Sequence, residues 1–110
     1  VEISFSTSKL EKVFNSERKL KEIYGELAKT IIIRMAVLKN APTLADVPIE
    51  KPDRRHELKY DRAKCFAVDL KQPFRLVFEP LERPIPEKTD GGVDVRAIRG
   101  IRILEIVDYH

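Results

Sequence analysis

Cysteine occurs once and glycine four times, and no apolar run approaches the roughly 18 residues that a membrane span requires. Cys65 alone cannot close an intrachain disulfide, so a secreted disulfide scaffold is excluded. Gly25, Gly91, Gly92 and Gly100 fit none of the glycine-rich spacings that cradle phosphates, which disfavours ATP- and NAD-dependent chemistry. Two histidines and one cysteine lack the short paired spacing of zinc sites, so neither a metal nor another cofactor is expected. There is no internal repeat. The opening VEISFSTSKLEK is polar and charged from the start and contains no cleavable apolar stretch, so the expected location is cytoplasmic, with no membrane partner.

What remains is a chain of 110 residues, 43% hydrophobic and 35% charged. A domain of this size buries about two thirds of the surface its unfolded chain exposes, enough for one core and not two, so residues 1–110 are expected to form a single domain. The net charge of +3 is too mild to demand a polyanionic partner. Its distribution is more informative: residues 51–75 are net +4 and residues 76–95 net −3. Such sorting fits a solvated surface as well as it fits a nucleic-acid contact.

Residues 2–6 alternate polar and apolar, with Ile3 and Phe5 on one side, as in a half-buried strand. Ser8 and Glu11 have the spacing of a capping box ahead of the helical stripe Leu10, Val13 and Phe14. The helical pattern runs on to Gly25, where the chain is expected to turn into a second helix over residues 26–39. That helix places Leu27, Ile31, Met35 and Leu38 on one side and Lys29, Arg34 and Lys39 on or near the other. Asn40 and Pro42 stop it, and an extended proline-containing loop follows. Strands are expected at residues 56–60, 65–70, 74–79 and 101–107, with an acidic loop over 80–92. Phe66, Val68 and Leu70 share a face, as do Phe74, Leu76 and Phe78, which turns Arg75 away from the core. The expected fold is α+β, with an N-terminal strand and a two-helix segment packed on one face of an antiparallel sheet. The other face is left for water or a ligand.

The residues able to carry chemistry are His56, Lys59, Arg75 and the terminal Asp108, Tyr109 and His110. Each also has an ordinary explanation. A histidine beside Arg54 and Arg55 is commonly a surface loop residue, and terminal residues commonly fray. Arg75 within an apolar strand is harder to dismiss, because a buried guanidinium needs solvent or an anion. Cys65 lacks the neighbours of a nucleophile and reads as structural.

HELKYD at residues 56–61, FAVDL at 66–70, PFRLVFEP at 73–80 and the closing DYH resemble HigB-type toxins of the RelE/ParE superfamily, the killer halves of bacterial toxin–antitoxin pairs. The order of the segments matches, and KLEKVFNSERKLKEIYG at 9–25 with the following helix looks like the N-terminal half of one branch. The resemblance spans nearly the whole chain.

It implies a ribosome-dependent endoribonuclease that cuts messenger RNA in the ribosomal A site without a metal and is held inactive by a HigA-type antitoxin. The resemblance marks His56, Asp108, Tyr109 and His110 as catalytic and matches Arg75 to the family's strand arginine; Arg75 and Lys59, with Arg54 and Arg55, are the expected phosphate or RNA contacts. Metal-free cleavage needs a base for the ribose 2′-OH and an acid for the departing 5′ oxygen, and histidine serves either role near neutrality. Arginine holds the scissile phosphate, and tyrosine offers a ring to a base. The sequence does not say which histidine is acid and which is base. Two departures stand out. Tyr60 occupies a turn position where relatives usually carry glycine, and the chain stops at His110, which would set a carboxylate beside that imidazole. Two alternatives come from other classes: a ParE-like poison of DNA gyrase, and an inactive homologue that binds RNA or the ribosome without cutting.

Overall fold

A computed structural model describes residues 1–109; His110 lies outside the described residues. Among the described residues the chain forms strand β1 (Glu2–Phe5), helices α1 (Ser8–Phe14), α2 (Glu17–Tyr24) and α3 (Leu27–Asn40), and strands β2 (His56–Glu57), β3 (Phe66–Asp69), β4 (Phe74–Pro80) and β5 (Gly100–Asp108). The five strands make one sheet in the order β1-β5-β4-β3-β2.

The fold is α+β, but the sheet is mixed where an antiparallel one was expected. β1 runs parallel to β5, pairing Ile3 with Ile101 and Phe5 with Ile103, while the other pairs are antiparallel. Alternation along a strand encodes which side faces the core and not the direction of its neighbour. Only a tight turn such as that between β3 and β4 fixes direction locally.

The expected first helix is two helices, so three precede the central strands. α1 stops after Phe14, and the Ser16 hydroxyl then caps α2 by accepting from the Lys19 amide at 3.2 Å. The cap of α1 lies one residue earlier than the S-x-x-E spacing suggests: Thr7, in extended backbone, accepts from the Leu10 amide at 3.1 Å. Gly25 ends α2 with φ of +57°, a conformation that disfavours any other residue. α3 buries Leu27, Ile31, Met35 and Leu38. It also buries Arg34, which the apolar stripe alone places near the solvent side. Arg34 is inside because its Nε donates to the Asp69 carbonyl at 2.6 Å and lies 3.8 Å from the Asp53 carboxylate. A buried guanidinium is tolerable only with such partners.

One core joins the helices to the sheet. Ile31, Leu38, Leu76, Phe78, Ile101 and Ile103 are fully buried within it, and Phe66 stacks on Phe78 with ring centres 6.1 Å apart. The radius of gyration, 13.5 Å, is close to the ~13 Å expected for a compact domain of this length. The strand expected over 56–60 ends at Glu57, because Tyr60–Arg62 form a 3-10 turn entered through Tyr60 at φ +61°. No helix among the described residues is long and apolar enough to cross a membrane.

Candidate active site on the sheet face away from the helices

The pairing register decides which side chains meet. Phe66, Val68, Leu76 and Phe78 point into the core, so Ala67, Asp69, Arg75 and Val77 point to the opposite face. His56 pairs with Ala67 and Val107 pairs with Arg75, which brings His56 and Arg75 to that same face from strands far apart in sequence. Asp108 pairs with Phe74 on the core-facing register, so the next residue, Tyr109, returns to the Arg75 side. Its amide is held by the Pro73 carbonyl at 2.9 Å.

A groove of about 490 Å³ opens there, lined by residues 56–62 with Arg75 and Tyr109. The Arg75 guanidinium lies over the Tyr109 ring, 4.3 Å from its centre. The planar cation and the ring quadrupole attract in this geometry, and each restricts the other's rotamers. A larger cavity, of about 650 Å³, lies against α3 among mainly apolar side chains and gathers no comparable set of reactive groups.

Asp69 anchors the groove from beneath. Its carboxylate accepts from Arg54 Nε at 2.6 Å and Arg54 Nη2 at 3.0 Å, and lies 3.5 Å from Arg75 Nε. Its carbonyl accepts from Arg34. Asp69 therefore ties helix α3, the loop before β2 and strand β4 together at one buried point. Three guanidiniums, from Arg34, Arg54 and Arg75, meet two carboxylates, from Asp53 and Asp69. The cluster carries one more positive than negative charge, and Arg75 is its member in the groove. The charge-assisted bonds to Asp69 raise the pKa of Arg54 above its ordinary value.

Arg54 adopts φ of +47°, and its carbonyl oxygen lies 2.8 Å from His56 Nδ1. A carbonyl can only accept, so Nδ1 carries the proton, and in the neutral form of the ring Nε2 presents a lone pair. Nε2 is buried and has no hydrogen-bond partner among the described residues. An acceptor held this way is short of a donor.

The other expected site residues divide clearly. Lys59 lines the groove and forms no ion pair among the described residues. Arg54 is spent on Asp69. Arg55 donates Nε to the Val47 carbonyl at 3.0 Å, and burial lowers its pKa, so both arginines serve the scaffold rather than the groove. Asp108 ends β5 at the level of Phe74. His110 lies outside the described residues. Burial, with Glu79 nearby, pushes the Cys65 thiol pKa up, the wrong direction for a nucleophile.

Tyr60, marked in the sequence only as a departure at its turn, lines the groove with Arg62, and Asp69 lies beneath it; neither Arg62 nor Asp69 is singled out by the sequence reading. Asp69 and Arg75 are opposite charges flanking one hairpin, and an acid inside the apolar run FAVDL was a signal that a partner stood across the turn. Arg62 reaches the groove from the 3-10 turn while its Nη2 donates to Glu105 at 2.7 Å, and this bond raises its pKa. Among the described residues no group of three His, Cys, Asp or Glu side chains is placed to hold a metal ion.

No family model, curated protein or solved structure matches this chain.

Proposed function

We propose that the chain is a HigB-type toxin of RelE/ParE-like fold, a messenger endoribonuclease that acts on the ribosome and is restrained by a HigA-type antitoxin. The observation that carries this reading is the pairing of His56 and Arg75 in one groove, with Nδ1 of the histidine committed to a carbonyl and Nε2 left as an acceptor. That is the arrangement expected of a general base beside a phosphate-binding cation.

In this mechanism His56 Nε2 removes the proton of a ribose 2′-OH, and the 2′ oxygen attacks the adjacent phosphorus. The bond from phosphorus to the 5′ oxygen breaks, leaving a 2′,3′-cyclic phosphate and a 5′-hydroxyl. Arg75, aligned by Asp69 and Tyr109, binds the non-bridging oxygens and gains strength as charge grows on them. Lys59 adds a second cation at the rim. The proton needed by the 5′ oxygen falls to His110, by the sequence pattern that pairs it with His56. Because Nε2 is covered in the free protein, RNA reaches it by displacing the covering groups.

The test is cleavage of a labelled message on programmed bacterial ribosomes. The purified chain is expected to cut within the A-site codon, and addition of a HigA-type antitoxin encoded beside it is expected to stop the cutting. Intact message on ribosomes that bind the chain would favour an inactive RNA-binding homologue. Inhibition of gyrase supercoiling with no cutting would favour the ParE-like alternative.

A further inference from the structure

Tyr60 is placed at two disadvantages that folding alone does not explain. It holds φ of +61°, where a bulky side chain is a rare outlier, and 91% of it is exposed, so its ring contributes almost nothing to burial. Strain retained at an exposed position points to a use for the side chain. Tyr60 is one of the residues lining the groove that contains His56, Arg75 and Tyr109, with the cations Lys59 and Arg62 close to it in the chain.

The turn is also pinned. Leu58 donates its amide to Cys65 at 2.8 Å, Ala63 to Tyr60 at 3.0 Å, and Cys65 to Arg62 at 3.0 Å. With the backbone of the turn fixed, only the two side-chain torsions of the tyrosine are left to order when a flat ligand lands on its ring, and unstacked RNA bases are the ligands that aromatic rings of single-strand binders recognise.

We propose that Tyr60 is a stacking platform for an RNA base next to the scissile phosphate, a contact that a glycine at this turn would lack. The proposal rests on the nuclease reading above. It makes Tyr60 a determinant of how tightly message is held, without a part in the bond-breaking step.

The experiment is steady-state cleavage of labelled message on programmed bacterial ribosomes by the unaltered chain and by Tyr60→Phe, Tyr60→Ala and Tyr60→Gly. Stacking one base on an aromatic ring changes binding by about tenfold or more. Tyr60→Phe is expected to keep KM within about twofold, and the Ala and Gly variants to raise it about tenfold with kcat changed less than about threefold. Tyr60→Gly also relieves the backbone, so its melting temperature is expected to rise by about 4 °C, which separates lost binding from lost folding. Unchanged KM in the Gly variant, with the unaltered chain cutting normally, would overturn the stacking role and leave the nuclease reading standing. That is also the result expected if Tyr60 instead meets a protein partner. Equal damage in the Phe and Ala variants would assign the effect to the hydroxyl and overturn stacking. Absence of cutting by the unaltered chain would remove the nuclease reading and this proposal with it.

Discussion

His56 Nδ1 lies 2.8 Å from the carbonyl oxygen of Arg54. The residue that orients the imidazole is itself clamped by two hydrogen bonds to Asp69, whose carboxylate also pairs with Arg75. The proposed base and the proposed phosphate-binding cation therefore hang from one buried acid. Positioning through a shared anchor keeps both groups in register without a contact between them, and it links chemistry at the groove to the integrity of the network beneath.

His56→Asn should retain a polar group near the Arg54 carbonyl while removing the ring nitrogen at the Nε2 position. We expect cleavage on programmed ribosomes to fall about 10²- to 10⁴-fold, the usual worth of a general base. Even if the bond to the Arg54 carbonyl were weakened, one partly buried hydrogen bond is worth only about 1 kcal/mol, so the melting curve should stay cooperative.

Arg75→Lys keeps the charge and loses the planar stack on Tyr109 and the Nε pairing with Asp69. Lysine is therefore a poor substitute here. Cleavage should drop about tenfold for Arg75→Lys and about 10²- to 10³-fold for Arg75→Ala, with more of the loss in kcat than in KM, because the interaction strengthens as the phosphate gains charge.

Asp69→Asn leaves Arg54 and Arg75 without their anion. Breaking a fully buried pair costs about 3–5 kcal/mol. Arg54 and Arg75 are partly exposed, so about 2 kcal/mol is expected, read as a lower urea midpoint. The surface pair Arg18–Glu22, bonded at 2.6 Å with both side chains mostly exposed, is the control. Glu22→Ala should change stability by less than about 0.5 kcal/mol.

Cys65 gives a pH prediction. Burial holds its proton more firmly in the folded chain than in the unfolded one, so at a given pH the native thiolate fraction is smaller. Alkylation by iodoacetamide should therefore be slower in the native protein than in urea, and its pH midpoint should lie above the ordinary thiol range. The sign for stability follows: this group's contribution is full below the unfolded thiol pKa and is lost as pH rises through the folded one.

The parts of the fold written in local alternation were legible. Phe66, Val68, Leu76 and Phe78 mark the core face of β3 and β4, and the two charged residues at the hairpin ends fall on the other face. Partners distant in sequence were not legible. Arg34 looks like a solvent-side residue of α3 until the Asp69 carbonyl and Asp53 are seen beside it. The parallel pairing of β1 with β5 joins the two ends of the described chain, and no turn announces its direction. Of the residues lining the groove, His56, Lys59, Arg75 and Tyr109 stand out by residue type in the sequence. The roles of Arg54 and Arg55 could not, because an arginine committed to a carboxylate or a carbonyl reads the same in sequence as one facing a phosphate. The carbonyl that sets the His56 tautomer depends on a positive φ at Arg54, where no glycine signals it.

The central claim is that the His56 imidazole activates a ribose hydroxyl against a phosphate held by Arg75. The chemistry of the RNA ends left on programmed ribosomes tests it most directly. A 2′,3′-cyclic phosphate paired with a 5′-hydroxyl, formed by the unaltered chain and lost in His56→Asn, is the predicted result. A 3′-hydroxyl paired with a 5′-phosphate, or undiminished cutting by His56→Asn, would contradict it.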